Sequence, residues 1–176
     1  MKYCSACGAK ITVRVPPGDA LPRHCCDACG AIHYLNPKIV VGCMPEAADG
    51  RLLLCRRAIE PRSGFWTMPA GFMENGESVM EAALRETLEE AEARVELLGL
   101  STVASVVRVN QVHMMYRARL LDGAFAAGVE SLEVRLFDEA EIPWADLAFR
   151  SVTAALRNFV DDRRKGRVQT HHVDLS

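Results

Sequence analysis

The sequence predicts an α/β sandwich preceded by a small N-terminal module. From Lys38 onwards, strand-like apolar segments are combined with two segments of helical periodicity, which is typical of a layered α/β domain. Residues 1–36 instead hold four cysteines in two pairs and little apolar periodicity, so they cannot build a core of their own. We therefore expect the module at 1–36 and the main domain at 37–176, with the joint at Asn36-Pro37.

Length and composition limit the class of protein. With 176 residues, of which 49% are hydrophobic and 25% charged, the chain fits one ordinary domain plus a small module. A formal net charge of -2 argues against a protein whose main task is to grip nucleic acid. No apolar run is long enough to span a bilayer, and the N-terminus has no apolar signal region. We expect a cytoplasmic protein that does not associate with membranes.

The strands of the main domain are predicted from short apolar runs bounded by turns. Ile39–Met44 and Leu52–Cys55 flank Asp49-Gly50, a dipeptide that is typical of a hairpin turn. Three later apolar runs are also expected to be strands: Val103–Val109, Val112–Leu121 and Leu132–Phe137.

Two helices are predicted from capping residues and apolar periodicity. Ser78 and Glu81 form a capping box, which sets the start of the first helix. Five residues of this helix fall on one face that we expect to pack inward: Met80, Leu84, Thr87, Leu88 and Ala91. The second helix begins at about Ser151, where apolar residues recur at helical spacing: Val152, Ala155, Leu156, Phe159 and Val160.

The N-terminal module contains two Cys-x-x-Cys pairs, Cys4 with Cys7 and Cys26 with Cys29, separated by eighteen residues. This spacing is typical of a four-cysteine zinc site, and a glycine after each pair lets the backbone turn sharply. Tetrahedral zinc needs four ligands, so a four-thiolate site leaves no open position for catalysis. We expect a zinc ribbon with a structural Zn²⁺, with Cys25 as an alternative to Cys26.

Glu86, Glu89 and Glu90 lie at i, i+3 and i+4 on the first predicted helix, so their carboxylates share one face. The simplest interpretation of such a pattern is a solvated acidic face. Like charges at this spacing destabilise an isolated helix unless a cation neutralises them, and Mg²⁺ is bound by carboxylates. We therefore take the three glutamates as candidate ligands of Mg²⁺ or Mn²⁺.

The surroundings of these glutamates resemble a known motif. The pattern Gly71-x5-Glu77-x7-Arg85-Glu86-Thr87-Leu88-Glu89-Glu90 resembles the Nudix box of the Nudix hydrolases and matches its fixed residue types as far as Glu90. The end of the box departs from the motif, since Glu92 stands where a glycine would cap the helix in a left-handed conformation. Thr87 also replaces a bulky apolar residue.

The resemblance covers nearly the whole chain. The cysteine pairs, Tyr34-x-Asn36-Pro37-Lys38, Trp66-x-x-Pro69-Ala70-Gly71 and Glu130-Ser131-Leu132-Glu133 are similar to those of the zinc-ribbon-bearing branch of ADP-ribose and FAD pyrophosphatases, which includes a plant chloroplast FAD pyrophosphatase. This resemblance implies a Nudix α/β/α sandwich with a mixed sheet, commonly assembled as a homodimer. It also implies magnesium-dependent cleavage of a nucleoside diphosphate linked to another group.

The resemblance assigns the first metal ligands to Glu86 and Glu90, joined by Glu89 and by the backbone carbonyl of Gly71. Arg85 is expected to pair with Glu77 and to hold the loop against the helix.

Other roles stay open at this point. The general base is Glu89 or a carboxylate from a downstream loop, for which Glu130 and Glu133 are candidates. Arg56 or Arg57, at the end of a strand, is a candidate phosphate ligand, and a surface salt bridge is the alternative for each.

The expected substrates share an adenosine diphosphate half. ADP-ribose, cleaved to AMP and ribose 5-phosphate, and FAD, cleaved to FMN and AMP, are the first candidates. An NADH pyrophosphatase ranks lower because the Ser-Gln-Pro-Trp-Pro-Phe element of that enzyme is absent. A house-cleaning enzyme for nucleoside triphosphates is another alternative. The alternative from a different class is a zinc ribbon that acts as a binding module on an inert scaffold.

Overall fold

A three-stranded antiparallel sheet forms the N-terminal part of the computed structural model, which describes all 176 residues. Its strands are β1 (Thr12–Arg14), β2 (Arg23–Cys25) and β3 (Ile32–His33). The chain divides into two units, Met1–Asn36 and Pro37–Ser176.

A mixed eight-stranded sheet and two helices make up the second unit. The six strands of the main path run in the order β10-β5-β4-β9-β8-β11, while β6 pairs with β5 and β7 pairs with β4. β4 with β9 and β8 with β11 are parallel, and the other pairs are antiparallel. The elements are β4 (Lys38–Glu46), β5 (Leu52–Arg57), β6 (Trp66–Thr67), β7 (Ala70–Phe72), α1 (Val79–Ala91), β8 (Val95–Val106), β9 (Gln111–Leu120), β10 (Ser131–Phe137), α2 (Arg150–Arg164) and β11 (His171–Leu175).

Alternation along the strands builds a core on each face of the sheet. In β5, Leu52 and Leu54 belong to the core that contains α2, whereas Leu53 and Cys55 belong to the core that contains α1. Neighbouring residues of a strand point to opposite faces, so the two helices cover opposite sides of the sheet. The predicted α/β/α sandwich with a mixed sheet is therefore confirmed.

The sheet opens between β5 and β4, the second and third strands of the main path. β4 and β5 pair at one register position only, Glu46 with Leu52, and beyond it β4 pairs with β7 while β5 pairs with β6. The connection between β6 and β7 crosses close to β4, where Cys43 N–H donates to the Pro69 carbonyl at 3.1 Å. A Cβ on Gly42 would collide with this connection, so glycine is required there.

Helix α1 begins where the sequence predicts. Ser78 N–H donates to Glu81 Oε2 at 2.8 Å, and Glu81 N–H donates to Ser78 Oγ at 3.3 Å, which completes the capping box. At the other end Glu92 adopts the left-handed conformation (φ 46°) that the motif gives to glycine. A non-glycine residue pays about 1 kcal/mol for this conformation.

The prediction of the inward face of α1 is wrong for its large residues. Met80, Leu84 and Leu88 are 51%, 38% and 52% exposed. The residues of α1 that are buried are mostly small: Ala82, Ala83, Thr87, Glu90 and Ala91. The helix lies close against β4, and small side chains permit that approach.

The other predicted elements are found with shifted ends. The run predicted as a strand at Val103–Val109 belongs to β8, which begins at Val95, and its last three residues form a 3-10 turn. The edge strand β11 was not predicted. No helix of the chain is long and apolar enough to cross a membrane.

Candidate active site

A cavity of about 750 Å³ lies where the sheet opens. It is lined from β4, β5, β6, β7, β9 and both helices, so residues distant in sequence meet there. The glutamates of α1 form the acidic end of its wall, namely Glu86, Glu89 and Glu90, and Glu60, Glu74 and Glu130 also line the cavity. The other part is mainly apolar and is lined by Val40, Ile59, Met115, Phe149 and Val152.

The two innermost carboxylates of α1 are withdrawn from solvent. Glu90 is 6% exposed, and its Oε2 accepts a hydrogen bond from Ala70 N–H at 2.9 Å. Burial raises the pKa of Glu90 to about 7, with the Ala70 N–H acting in the opposite direction. Burial also raises the pKa of Glu86, partly offset by the neighbouring Arg85 guanidinium. Both acids therefore stand in a place where negative charge is costly without a positive partner.

Arg85 ties the loop before α1 to the helix. Its Nε and Nη2 donate to the two carboxylate oxygens of Glu77 at 3.0 and 2.7 Å, and Nη2 also donates to the Phe72 carbonyl at 3.1 Å. Its Nη1 donates to Glu86 at 2.8 Å and to Glu89 at 3.1 Å. The hydrogen bonds from Arg85 lower the pKa of Glu77 to about 2. Arg85 on α1 is thus bonded both to Glu77 in the loop and to Phe72 at the end of β7.

Gly71 makes room for the Glu86 carboxylate. A Cβ built on Gly71 would collide with all three terminal atoms of Glu86. Because Ala70 N–H also reaches Glu90, the Ala70-Gly71 backbone is in contact with the buried carboxylate of Glu90 and with the carboxylate of Glu86, whose side chain is 12% exposed. The side chains of Glu86 and Glu90 and the backbone of Gly71 are thus brought together, as the sequence predicts.

Arg57 and Arg56 occupy different environments. Arg57 lines the cavity and is 9% exposed. Its Nε donates to the Pro61 carbonyl at 2.9 Å, its guanidinium lies 5.2 Å from the centre of the Phe149 ring, and it forms no salt bridge. Arg56 lies outside the cavity, with its Nη1 3.9 Å from Glu133 Oε2, and both side chains are about half exposed. Of these two arginines, only Arg57 is placed to bind an anion in the cavity.

The two downstream glutamates are separated in the same way. Glu130 lines the cavity, whereas Glu133 does not. The loop that carries Glu130 is attached to the end of α1, since Gly128 N–H donates to the Glu90 carbonyl at 3.2 Å. The charge of Glu130 is a minor cause, after burial, of the raised pKa of Glu90.

Two polar residues of the cavity wall that lie on β9 are not among those predicted from the sequence. Gln111 and His113 line the cavity, and Gln111 Oε1 lies 2.9 Å from His113 Nε2. The signal that was available is polar residues at alternate positions on the face that also carries the buried Met115. Trp66, by contrast, packs edge-on against Phe137 with ring centroids 4.8 Å apart, as expected for a packing residue.

The acidic end of the cavity fits a divalent cation of the hard type. Mg²⁺ and Mn²⁺ prefer carboxylate and carbonyl oxygens, and this is the donor set that Glu86, Glu89, Glu90 and the Gly71 carbonyl offer. Buried carboxylates that are costly to ionise on their own gain most from such a charge. Arg85 already pairs with Glu86 and Glu89, but Glu90 has no ion pair.

The cysteines of the N-terminal unit fit zinc. The Sγ atoms of Cys4 and Cys29 are 3.7 Å apart, those of Cys7 and Cys26 are 3.5 Å apart, and all four lie within 4.8 Å of one another. Four thiolates around Zn²⁺ at about 2.3 Å stand about 3.8 Å apart in a tetrahedron. Cys25 is not the alternative ligand that we considered, because its thiol faces the backbone carbonyls of Arg14 and Arg23.

The two cysteine turns have the same backbone geometry. Gly8 N–H donates to the Cys4 carbonyl and Gly30 N–H donates to the Cys26 carbonyl, each at 2.9 Å. Both glycines have positive φ, 74° and 75°, which places each turn in a conformation that favours glycine.

Comparison with protein families assigns both units. Residues 36–162 match the family model described as NUDIX domain, and residues 2–35 match the model described as Nudix N-terminal. Among solved structures, the chain is similar to a NUDIX hydrolase from Nitrosomonas europaea. The two are 51% identical, 99% of each chain is covered, and the TM-score is 0.95.

Curated relatives differ in their names and in how much of them the chain spans. An ADP-ribose pyrophosphatase of Methanocaldococcus jannaschii is 31% identical over 114 residues, which is 62% of this chain and 67% of the relative. A NAD-capped RNA hydrolase of Chromobacterium violaceum is 35% identical over 97 residues, which is 55% of this chain and 34% of the relative. The chain therefore spans about a third of the second relative.

Proposed function

The chain belongs to the Nudix family, and on that premise we propose that it is a metal-dependent pyrophosphatase that cleaves a nucleoside diphosphate linked to another group. The observation that carries the proposal is the pair of withdrawn carboxylates, Glu86 and Glu90, set against the Ala70-Gly71 backbone inside a 750 Å³ cavity. A solvated acidic face would leave these side chains in water. Here they line a cavity of the size that small-molecule sites have.

In this proposal Glu86, Glu90 and the Gly71 carbonyl hold Mg²⁺ or Mn²⁺, with Glu89 as a further ligand. The bound ion would neutralise charge on the pyrophosphate and lower the pKa of a water molecule. The contribution of Arg85 is positional, because its hydrogen bonds to Glu77 and Glu86 fix the distance between the loop and the helix. Its guanidinium is fully engaged and is not free to bind substrate.

Arg57 is the residue that we assign to the substrate phosphates. Its guanidinium is buried, lines the cavity and forms no salt bridge. A buried cation without a carboxylate partner is costly, and a phosphate oxygen would offset that cost through charge-assisted hydrogen bonds. Arg56 is left out of this role because it lies outside the cavity beside Glu133.

Glu130 is our candidate for the general base. It lines the cavity, and its loop is anchored on the end of α1. Glu89, the other candidate, already accepts a hydrogen bond from Arg85 at 3.1 Å, so its carboxylate is partly occupied within the protein. Glu133 lies outside the cavity, so it is not a candidate for the general base. A base must reach the proton that it removes, and Glu130 faces the same cavity as both buried carboxylates.

The N-terminal unit is proposed to bind one structural Zn²⁺ through Cys4, Cys7, Cys26 and Cys29. The closed set of four sulfurs supports a role in folding, because no position is left for a water molecule or a substrate.

ADP-ribose is the substrate that we place first, with FAD accepted as well. A relative named ADP-ribose pyrophosphatase, of which the chain covers 67%, supports this order. Hydrolysis of NADH is the second candidate, since another relative is named NAD-capped RNA hydrolase. Arg57 is the one cationic side chain of the cavity wall without a salt bridge, which favours a pyrophosphate over the larger charge of a nucleoside triphosphate.

A substrate panel tests the proposal. ADP-ribose, FAD, NADH and dGTP are compared by kcat/KM at one Mg²⁺ concentration, with products resolved by chromatography. We expect AMP from the first three and the highest value for ADP-ribose. A preference for dGTP of more than about tenfold, or roughly 1.4 kcal/mol in the transition state, would exclude the dinucleotide assignment while leaving the Nudix chemistry intact.

A further inference from the structure

Two side chains of the cavity wall have no place in the catalytic scheme. Gln111 and His113 both lie on β9, two residues apart, on the face that also carries Met115. They are the uncharged polar residues of the cavity together with Thr67, whose hydroxyl already donates to the Met68 carbonyl at 3.0 Å. Among the uncharged side chains of the cavity wall, Gln111 and His113 are therefore the ones that can offer hydrogen bonds to a ligand.

The contact between the two side chains fixes the amide of Gln111. Gln111 Oε1 lies 2.9 Å from His113 Nε2, so Nε2 carries the ring proton and donates it to that oxygen. Burial lowers the pKa of His113, which keeps the imidazole neutral with a single proton. With its oxygen held by the imidazole, Gln111 has both N–H groups of its amide left, and neither has a partner within the protein.

A histidine at position 113 lowers the stability of the fold, but its imidazole orients the Gln111 amide. It is 8% exposed, its strand neighbours in the register are Val40 and Ala104, and its Nδ1 is buried without a hydrogen-bond partner. A buried polar atom without a partner costs about 1–3 kcal/mol, and an apolar side chain of similar size would avoid that cost. The imidazole fixes the orientation of the Gln111 amide through its hydrogen bond to Oε1.

An aromatic ring lies on the same face of the sheet, two strands away from this pair. Phe72 pairs with Val40, which pairs with His113, so the three residues form one row across β7, β4 and β9 on the same face of the sheet. Phe72 lines the cavity and is 47% exposed, with the Lys38 ammonium 5.0 Å from the ring centre. A cavity wall that has a half-exposed aromatic ring and, across Val40, a pair of amide donors is suited to a planar heterocycle with an acceptor atom in its plane.

We propose that Gln111 is a specificity-determining residue that donates to an in-plane acceptor atom, a carbonyl oxygen or ring nitrogen, of a planar ring in the substrate, and that His113 is the positioning residue that orients it. The proposal rests on the pyrophosphatase function given above and assigns the uncharged ring of a nucleobase or related heterocycle to this wall. The phosphates are left to Arg57 and the acidic end.

The test separates recognition of the ring from recognition of the pyrophosphate. Gln111→Met removes the amide at nearly constant size, His113→Leu removes the imidazole N–H, and His113→Gln keeps an N–H donor. KM and kcat are measured for the best substrate of the panel. The inhibition constant of methylenediphosphonate, which has the phosphates and no ring, is measured with Mg²⁺ in excess. Gln169→Met makes the same substitution at an exposed site outside the cavity.

We expect Gln111→Met and His113→Leu to raise KM about tenfold, the effect of one hydrogen bond, with kcat within about twofold of wild type. The inhibition constant of methylenediphosphonate is expected to stay constant, His113→Gln to recover most of the loss, and Gln169→Met to have no effect. An unchanged KM in Gln111→Met would overturn the proposal. Equal losses for substrate and methylenediphosphonate would do the same, because they would indicate a general distortion of the cavity.

Failure of the proposed function is distinguishable from failure of this inference. If the wild type hydrolyses no member of the panel, the pyrophosphatase function is refuted, and calorimetric titration of FAD then decides the role of Gln111. About tenfold weaker binding by Gln111→Met than by wild type supports the inference. Equal affinity, or no binding of FAD by the wild type, overturns it.

Discussion

The substitution Gly71→Ala is expected to disable the site while sparing the fold. Gly71 has no positive φ, so its backbone conformation suits alanine and the new methyl group is the only perturbation. That methyl group would stand closer than 3.0 Å to the carboxylate of Glu86. To restore the ordinary contact distance of 3.4 Å, the carboxylate must move by about 1 Å. Displacements of about 1 Å in a catalytic constellation can cost roughly 100-fold in rate.

The assay is kcat/KM for ADP-ribose over a series of Mg²⁺ concentrations, with the thermal midpoint as a check on the fold. We expect a loss of about 100-fold, a weaker dependence on Mg²⁺ at low concentration, and a midpoint close to that of wild type. The double variant Gly71→Ala/Glu86→Asp provides the control, because the shorter acid leaves room for the methyl group. Its loss should be smaller than the sum of the two single losses on a logarithmic scale.

Gly71→Ala with activity within about twofold of wild type would refute this reasoning. It would mean that the position of Glu86 against the loop is not needed for turnover. Strictly additive losses in the double variant would also count against the steric argument, since the two side chains would then act independently.

Glu90, the cysteine cluster and the two arginines of β5 can each be tested by substitution. Glu90→Gln should lower kcat by at least about 1,000-fold with the fold retained, as judged by circular dichroism, because one neutral oxygen replaces a buried ionic ligand; near wild-type turnover would remove Glu90 from the metal site. Purified protein should contain one zinc per chain by elemental analysis, and Cys4→Ser should destabilise the N-terminal unit more than it lowers kcat; free thiols at all four cysteines would contradict this. Arg57→Leu should lower kcat/KM by at least about tenfold and Arg56→Leu by less than about twofold in the same kinetic assay, since only the first side chain faces the cavity; equal effects would argue against the assignment of Arg57.

Much of the catalytic helix could be predicted from sequence because its geometry is local. The capping box of Ser78 and Glu81 fixes the start of α1, and 3.6 residues per turn then place Glu86 and Glu90 on one face wherever the helix packs. The spacing of the cysteine pairs is equally local. Two short turns of the same geometry each present two sulfurs, and their sequence signature is a glycine after each pair, whereas the pairing of β1 with β2 brings the two turns together.

The packing of α1 could not be predicted in the same way. Apolar periodicity gives most weight to large side chains, so it selected Met80, Leu84 and Leu88, which the structure leaves exposed. The helix instead packs through alanines and Thr87, whose hydroxyl is satisfied by the Ala83 carbonyl at 2.8 Å. Small residues on a helix face signal a close approach to the sheet, and this signal is weak until the partner strand is known.

The cavity wall depends on strand pairing that is remote in sequence. Arg57 and Arg56 are adjacent on β5, so their side chains point to opposite faces, and the cavity lies where β5 leaves β4 after a single paired position. The same pairing separates Glu130 from Glu133. Polar residues on β9 such as His113 are visible in the sequence as interruptions of an apolar strand. That they line the cavity can be recognised only once β4 and β7 are placed beside β9.

The most direct test of the account measures release of AMP from ADP-ribose by the wild type and by Glu90→Gln, each in Mg²⁺ and in EDTA. We expect AMP and ribose 5-phosphate in equal amounts from the wild type in Mg²⁺, and neither product above background in the other three reactions. Absence of AMP from the wild type with ADP-ribose, FAD and NADH alike would contradict the pyrophosphatase function. Equal AMP release by wild type and Glu90→Gln would contradict the assignment of the metal site to the buried face of α1.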